Sequence, residues 1–307
     1  ELMNVNELFR ECRLVVNDKT SDLFGMRGKA LLRRYPMTSL PSAATTPIHV
    51  ARVGLRARDA EALSHFYRHV LGLEELRRTG NAIALGAAGW ELIEIEHAPA
   101  LAPDDPSSAG LYHTAFLLPD RAALARWVRH ATESRIAITG ASDHLVSEAI
   151  YLNDPEGNGI EIYADRAPED WEREENGTIR MATKRLDLAN LAAALPEGDE
   201  GWGGAPAGTV VGHVHLRAGD IGAAEAWWTG EAGLDTMVHY GNQAVFLSSG
   251  GYHHHIANNI WHSRGSGPRG RDRAGLSFVE MVDEKAVDER VVFDPWGNEI
   301  RFVPKTV

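Results

Sequence analysis

The pentad Asp-Pro-x-Gly-Asn occurs twice in this chain, at 154–158 and 294–298, each time between two β-prone segments. Proline fixes φ, and Gly and Asn tolerate positive φ, so each pentad predicts a tight turn closing a hairpin. Around the first, Glu148 to Asn153 predicts a strand and Ile160 to Tyr163 its return. The recurrence is longer than the turn. Val53 to Asp59 reads as a strand ending at a helix N-cap, and Ala60 to Val70 as a helix with Leu63, Phe66, Tyr67 and Val70 at helical spacing. Gly72 caps its end, and strands at Ala82 to Leu85 and Trp90 to Glu96 follow. The same order restarts at Tyr112 to Asp120 and again at Val211 to Asp220. An abbreviated fourth copy starts at Leu276 and closes with the second pentad. The expectation is an α+β fold of four βαβββ modules forming two paired-module, barrel-like sheets.

The division expected from this pattern is an N-terminal extension at 1–46, modules one and two at 47–165, a linker with a short helix at 166–208, and modules three and four at 209–307. The extension mixes charged and apolar residues without turn grammar, and no function is attached to it. The linker equally reads as a segment packed on a domain face. With 307 residues the chain has room for about two domains. Its net charge of -12 and lack of a basic run argue against a nucleic-acid partner. A single cysteine, Cys12, excludes disulfide staples and Cys-rich zinc sites. No apolar run approaches ~18 residues, and no signal-peptide pattern opens the chain. The expectation is therefore a cytoplasmic protein without a membrane partner.

Two stretches carry chemistry. Side chains alternate along a strand, so Glu161 faces away from Ile160 and Ile162. If the isoleucines pack under a helix, Glu161 points into whatever the sheet encloses, where a carboxylate needs a cation or strong donors. The other reading leaves Glu161 on a solvated face. The second stretch is His253-His254-His255, placed on a strand from His253 to Asn258. Neighbours on a strand face opposite sides, so one or two of the three are expected to point inward.

The four modules, the strand-to-Asp-to-helix openings and the doubled pentad resemble the vicinal oxygen chelate superfamily, which includes glyoxalases, bleomycin-resistance proteins and extradiol dioxygenases. The resemblance covers about 48–305. Within it, His144, Ile150, Tyr151, Asp154, Pro155, Gly157 and Glu161 are similar to the signature of single-chain extradiol dioxygenases of the catechol 2,3-dioxygenase type. Ser142 departs from the small or apolar residue usual there. The resemblance implies metal ligands on the first strands of paired modules and a carboxylate on a last strand. By repeat position these are His113, His213 and Glu161, with His215 an alternative to His213. Arg52 stands at that position in copy one, the vicinity of Ser277 in copy four, and Arg301 at the carboxylate position of copy four. Copies one and four thus read as a non-catalytic partner barrel. The ligands then come from the two middle copies, whereas the last two hold them in the commonest extradiol layout.

Two histidines and a carboxylate make the facial triad of non-haem Fe(II) oxygenases, and Mn(II) suits the same donors. The resemblance further implies His254 as acid–base residue, with His253 or His255 one step away. Tyr151 and His144 would sit near the two ring oxygens, and Trp261 and His262 along the pocket. The implied reaction is extradiol cleavage of a small aromatic diol by O2, giving a 2-hydroxymuconic semialdehyde-type product, as in aromatic hydrocarbon catabolism. A homo-oligomer is expected, since this fold often assembles. The alternatives are a glyoxalase-like metal-dependent lyase or isomerase and a non-enzymatic binding protein of the bleomycin-resistance type. The lack of a Glu on copy three's last strand argues against the lyase, which uses a second carboxylate.

Overall fold

The computed structural model describes residues 40–305. Most of the expected 1–46 extension, with Cys12, lies outside them. Each copy forms the elements its pattern predicts. Copy one comprises β1 (Ile48–Ala57), α1 (Ala60–Val70), β2 (Glu74–Thr79), β3 (Ala82–Ala87) and β4 (Trp90–His97). Copy two has β5 (Gly110–Leu117), α2 (Arg121–Glu133), β6 (Gly140–Asp143), β7 (Ser147–Asn153) and β8 (Gly159–Asp165). A short helix α3 (Leu188–Ala192) follows. Copy three has β9 (Val210–Arg217), α4 (Ile221–Gly230), β10 (Asp235–Tyr240), β11 (Ala244–Ser248) and β12 (Ile256–Asn259). Copy four has β13 (Gly275–Asp283), β14 (Arg290–Phe293) and β15 (Glu299–Pro304), with a turn where the others have a helix.

The aspartates that end the first strands cap the helices. Asp59, Asp120 and Asp220 accept hydrogen bonds from the backbone N–H of Ala62, Ala123 and Ala223. Each cap satisfies a donor that the first turn of a helix leaves open.

The sheets cross the chain order. The seven-stranded sheet runs β14-β15-β13-β1-β4-β3-β2, joining copy four to copy one. The eight-stranded sheet runs β10-β11-β12-β9-β5-β8-β7-β6, joining copy three to copy two. Each sheet therefore draws on both 47–165 and 209–307. The segment 166–208 also packs, burying Trp171, Ile179, Leu186, Leu188 and Leu191. A main core holds the outward face of the strands, including Ile160, Ile162 and Val214, with helix residues such as Leu63, Leu124, Trp127 and Trp228. A second, smaller core lines the concave face of the eight-stranded sheet with Ala115, Leu117, Tyr163, Trp171 and Tyr252.

The first pentad turn ties copies one and two together. Asp154 Oδ1 accepts from the N–H groups of Glu156 and Asn158, both at 2.9 Å. Its Oδ2 accepts from Asn158 Nδ2 at 2.8 Å and from the Tyr67 hydroxyl of α1 at 3.2 Å. The second turn repeats the arrangement at Asp294 without a partner like Tyr67. Asp154→Ala strands buried donors, and we expect it to lower the unfolding free energy by about 3 kcal/mol. Urea unfolding checks this; a loss below ~0.5 kcal/mol would show that the turn holds without its carboxylate.

Candidate metal centre

β5 lies at the centre of the eight-stranded sheet, antiparallel to β9 and parallel to β8. Ala115 on β5 stands opposite Glu161 on β8 and His213 on β9, so the three form one row across the concave face. Tyr151 on β7 extends the row beside Glu161. The central residue is only a methyl group, which lets the long side chains on either side lean together above it. His113, two residues earlier on β5, closes the group from the next rung.

The donor atoms form a tight triangle. His113 Nε2 lies 3.1 Å from Glu161 Oε2, His213 Nε2 lies 3.3 Å from the same oxygen, and the two nitrogens are 3.4 Å apart. All three residues are buried. Donors at metal-bond lengths of about 2.1 Å stand ~3.0 Å apart at right angles and ~3.4 Å apart in a tetrahedron, so the triangle suits one ion. The protonation states agree. Burial carries His213 down to about 4, leaving a neutral imidazole at pH 7. Burial pushes Glu161 up, but the two imidazoles outweigh it and hold the carboxyl well below its ordinary range. Neutral imidazoles and a carboxylate are the forms that bind metals.

His215 lies on the same face, one rung away and directly opposite His113. Its Nε2 is bonded to Asn259 at 3.0 Å, and its ring packs against Tyr112 and Trp261. Two bulges shape this face. The β5–β9 register skips Tyr112 and Gly212, each immediately before a histidine of the triangle. The first brings the Tyr112 ring beside that of His113, with centroids 5.4 Å apart. At Gly212 any side chain is excluded, because a Cβ would stand 1.8 Å from the Tyr163 hydroxyl. Beyond Trp261 opens a cleft of about 370 Å³ lined by Gln243, Ile260, Trp261, His262 and Arg264.

The remaining predicted residues surround the triangle. The Tyr151 hydroxyl lies near Glu161 and 2.6 Å from His144 Nε2. His144 Nδ1 donates to the Ala182 carbonyl at 2.8 Å, which turns Nε2 toward the phenol. The three successive histidines precede β12 instead of lying within it, which corrects the expected strand. Freed from strand alternation, they diverge. The His254 ring packs against His213 at a 46° tilt, with centroids 4.0 Å apart. His253 bonds Asp165. His255 turns to the N-terminal 3-10 turn at Ser42–Ala44, bonding the Ala43 carbonyl, Thr46 and Ser248. Sequence reasoning missed Asp165, Tyr163, Tyr252, Tyr112 and the Ala182 carbonyl. Only Asp165 and Tyr163 carried a signal, since both alternate with Ile162 on the face of Glu161.

The seven-stranded sheet repeats the frame with other residues. Its bulges at Ala51 and Ser277 place Arg52, Phe278 and Glu94 where the other sheet has His113, His213 and Glu161. Copy four's first-strand position is thus Phe278, one residue beyond the expected Ser277. Arg52 binds Glu280 through two hydrogen bonds and reaches Glu91 and Glu94. By the same symmetry, the position matching Glu161 in copy three is Ala257, which pairs with His215 on β9.

A family model described as the Glyoxalase/Bleomycin resistance protein/Dioxygenase superfamily matches residues 49–162. A Bacillus subtilis (strain 168) protein named catechol-2,3-dioxygenase is 40% identical over 237 residues, covering 76% of this chain and 82% of its own. The chain belongs to the glyoxalase/bleomycin resistance protein/dioxygenase superfamily. The fold agrees. A solved Bacillus subtilis structure, described provisionally as a dioxygenase, superposes with a TM-score of 0.52 at 15% identity, covering 83% of this chain and 85% of that one. A mutant of glyoxalase I from Zea mays gives a TM-score of 0.50 at 12% identity, covering 85% and 95%. Among the described residues, no helix is long and apolar enough to cross a membrane.

His255 generates a stability prediction. Burial lowers its pKa to about 3, so the unfolded chain takes up the proton first as pH falls. Its contribution is full above ~6.5 and is lost progressively toward about 3. Between pH 7 and pH 5 this costs about 2 kcal/mol. We expect His255→Gln to flatten the decline in unfolding free energy over that interval by a similar amount; an unchanged slope would contradict it.

Proposed function

We propose that this chain is an extradiol ring-cleaving dioxygenase that inserts both atoms of O2 into a catechol beside its vicinal hydroxyls. The product is a 2-hydroxymuconic semialdehyde-type compound. His113, His213 and Glu161 hold Fe(II), with Mn(II) suited to the same donors. The observation that carries the reading is Ala257 at the symmetry mate of Glu161. A lyase of the glyoxalase kind uses a second carboxylate, and this frame offers a methyl group at the corresponding position. Three protein ligands leave room for the two catechol oxygens and for O2. The named relative from Bacillus subtilis supports the same activity.

The bound iron supplies the electronic link between ring and dioxygen. The chain's own residues do the rest. His254, packed against His213, accepts a catechol hydroxyl proton and later returns one. The Tyr151 hydroxyl, held by His144, hydrogen-bonds the ring oxygen nearest it. Tyr112, His215 and Trp261 form aromatic walls that orient the ring. Burial of the triangle keeps bulk water from the reacting groups.

Protein loaded anaerobically with Fe(II) is expected to consume O2 when given catechol and to form a yellow ring-opened product. Alanine at His113, His213 or Glu161 is expected to lower iron affinity at least ~10-fold and abolish uptake, while His215→Ala keeps the metal. Ala257→Glu is expected to retain metal and lose oxygen uptake. Metal binding without uptake for any catechol would reject the dioxygenase reading in favour of a lyase.

A further inference from the structure

Asp165 ends the strand that carries Glu161 and shares its concave face. Its Oδ1 lies 2.9 Å from His253 Nε2, and its Oδ2 accepts a hydrogen bond from the Tyr252 hydroxyl at 3.0 Å. His253 places its Nδ1 2.7 Å from Nδ1 of His254. His253 is fully buried, with Trp171 and Tyr163 packed around its ring. Because Tyr252 spends its proton on Asp165, the Tyr163 hydroxyl donates to Tyr252 at 2.8 Å. Both carboxylate oxygens are thus engaged, and the tyrosine pair holds the group in place.

These contacts fix the direction of the protons. A carboxylate only accepts, so His253 carries its proton on Nε2. With that one proton on the ring, its Nδ1 is an acceptor, and the proton in the 2.7 Å contact belongs to His254 Nδ1. The reverse arrangement would set two lone pairs against each other at Asp165, at a 2.9 Å separation too short to admit a water. His254 is left with a lone pair on Nε2. We propose that Asp165 and His253 are positioning residues that fix the tautomer of His254, so that it meets the substrate as a base at Nε2.

The proposal deepens the dioxygenase reading and rests on it for the identity of the proton donor, a catechol hydroxyl. In that step one proton passes from the hydroxyl oxygen to His254 Nε2, and His254 Nδ1–H stays directed at His253. The negative charge of Asp165 then lies at the far end of the same hydrogen-bonded line.

Long-range 1H–15N correlation spectra of zinc-loaded, histidine-labelled protein report the tautomers without any turnover. The expected result is a single Nδ1–H form at His254 and an Nε2–H form at His253. An Nε2–H form at His254 would overturn the proposal. Asp165→Ala is expected to give a tautomer mixture at His254 and to lower kcat ~10- to 100-fold with KM for catechol and bound iron unchanged. Asp165→Glu is expected to restore the single tautomer and part of kcat. An Asp165→Ala protein with unchanged tautomer and kcat would also overturn it. If Asp165→Ala does not fold, the wild-type spectrum alone decides. A fixed Nδ1–H form in a protein that cleaves no catechol would reject the dioxygenase reading while leaving the hydrogen-bond line intact.

Discussion

The structure depends on a carboxylate placed where it cannot be solvated. Glu161 is buried on a central strand, and the groups nearest its Oε2 are two imidazoles, of which burial keeps that of His213 neutral. Burying an ionised carboxylate costs several kcal/mol unless a charge of opposite sign offsets it. The two imidazoles hold the carboxyl ionised without neutralising its charge. The three donors nevertheless converge on one small volume, and the sheet is built to let them. Ala115 is small between Glu161 and His213, Gly212 yields space to Tyr163, and Ile160 and Ile162 anchor the strand from the opposite face. A cation between the three donors resolves the imbalance that the fold creates.

The other sheet resolves the same imbalance from within. Its counterpart of Glu161 is Glu94, and the guanidinium of Arg52, at the position of His113, lies among Glu94, Glu91 and Glu280. Arg301, at the copy-four carboxylate position, lies over Phe278 with its guanidinium carbon 3.7 Å from the ring centroid. One frame thus carries its own cation on a side chain, and the other keeps imidazoles around an anion. This explains why the two sheets share strand order and bulges yet differ on their concave faces. Charge balance fills the first and leaves the second able to accept an ion.

The sequence made the repeat legible because its punctuation is local. A turn pentad, a capping aspartate and a strand of alternating residues each act within a few positions, and all reappear in the structure. His113, His213 and Glu161 were legible for a related reason: repeat position reports strand register. Pairing of copy one with four and two with three was legible only through the ligand positions, where Arg52 and Arg301 set copies one and four apart, since no turn or cap records which sheet edge a module meets. The histidine run shows the limit most clearly. Alternation assumed a strand, and these residues instead precede β12, where backbone turns send three neighbours to three partners. Asp165 escaped notice because its partner lies 88 positions away. Likewise Ala182 reaches His144 only because 166–208 folds back over the concave face.

A pseudo-twofold pair of modules offers four inward positions, one first-strand and one last-strand residue from each module. In the eight-stranded sheet they are His113, Glu161, His213 and Ala257. Three can donate and the fourth cannot. A fourth donor would tighten the hold on an ion while filling a position that reactants need, so the methyl group trades affinity for access. In the dioxygenase reading proposed above, access without a base would leave a diol proton in place, and the same module that contributes Ala257 contributes His254. Copy three therefore holds both departures from symmetry: a last-strand position without a donor, and a histidine run, outside the strand, that puts His254 against His213.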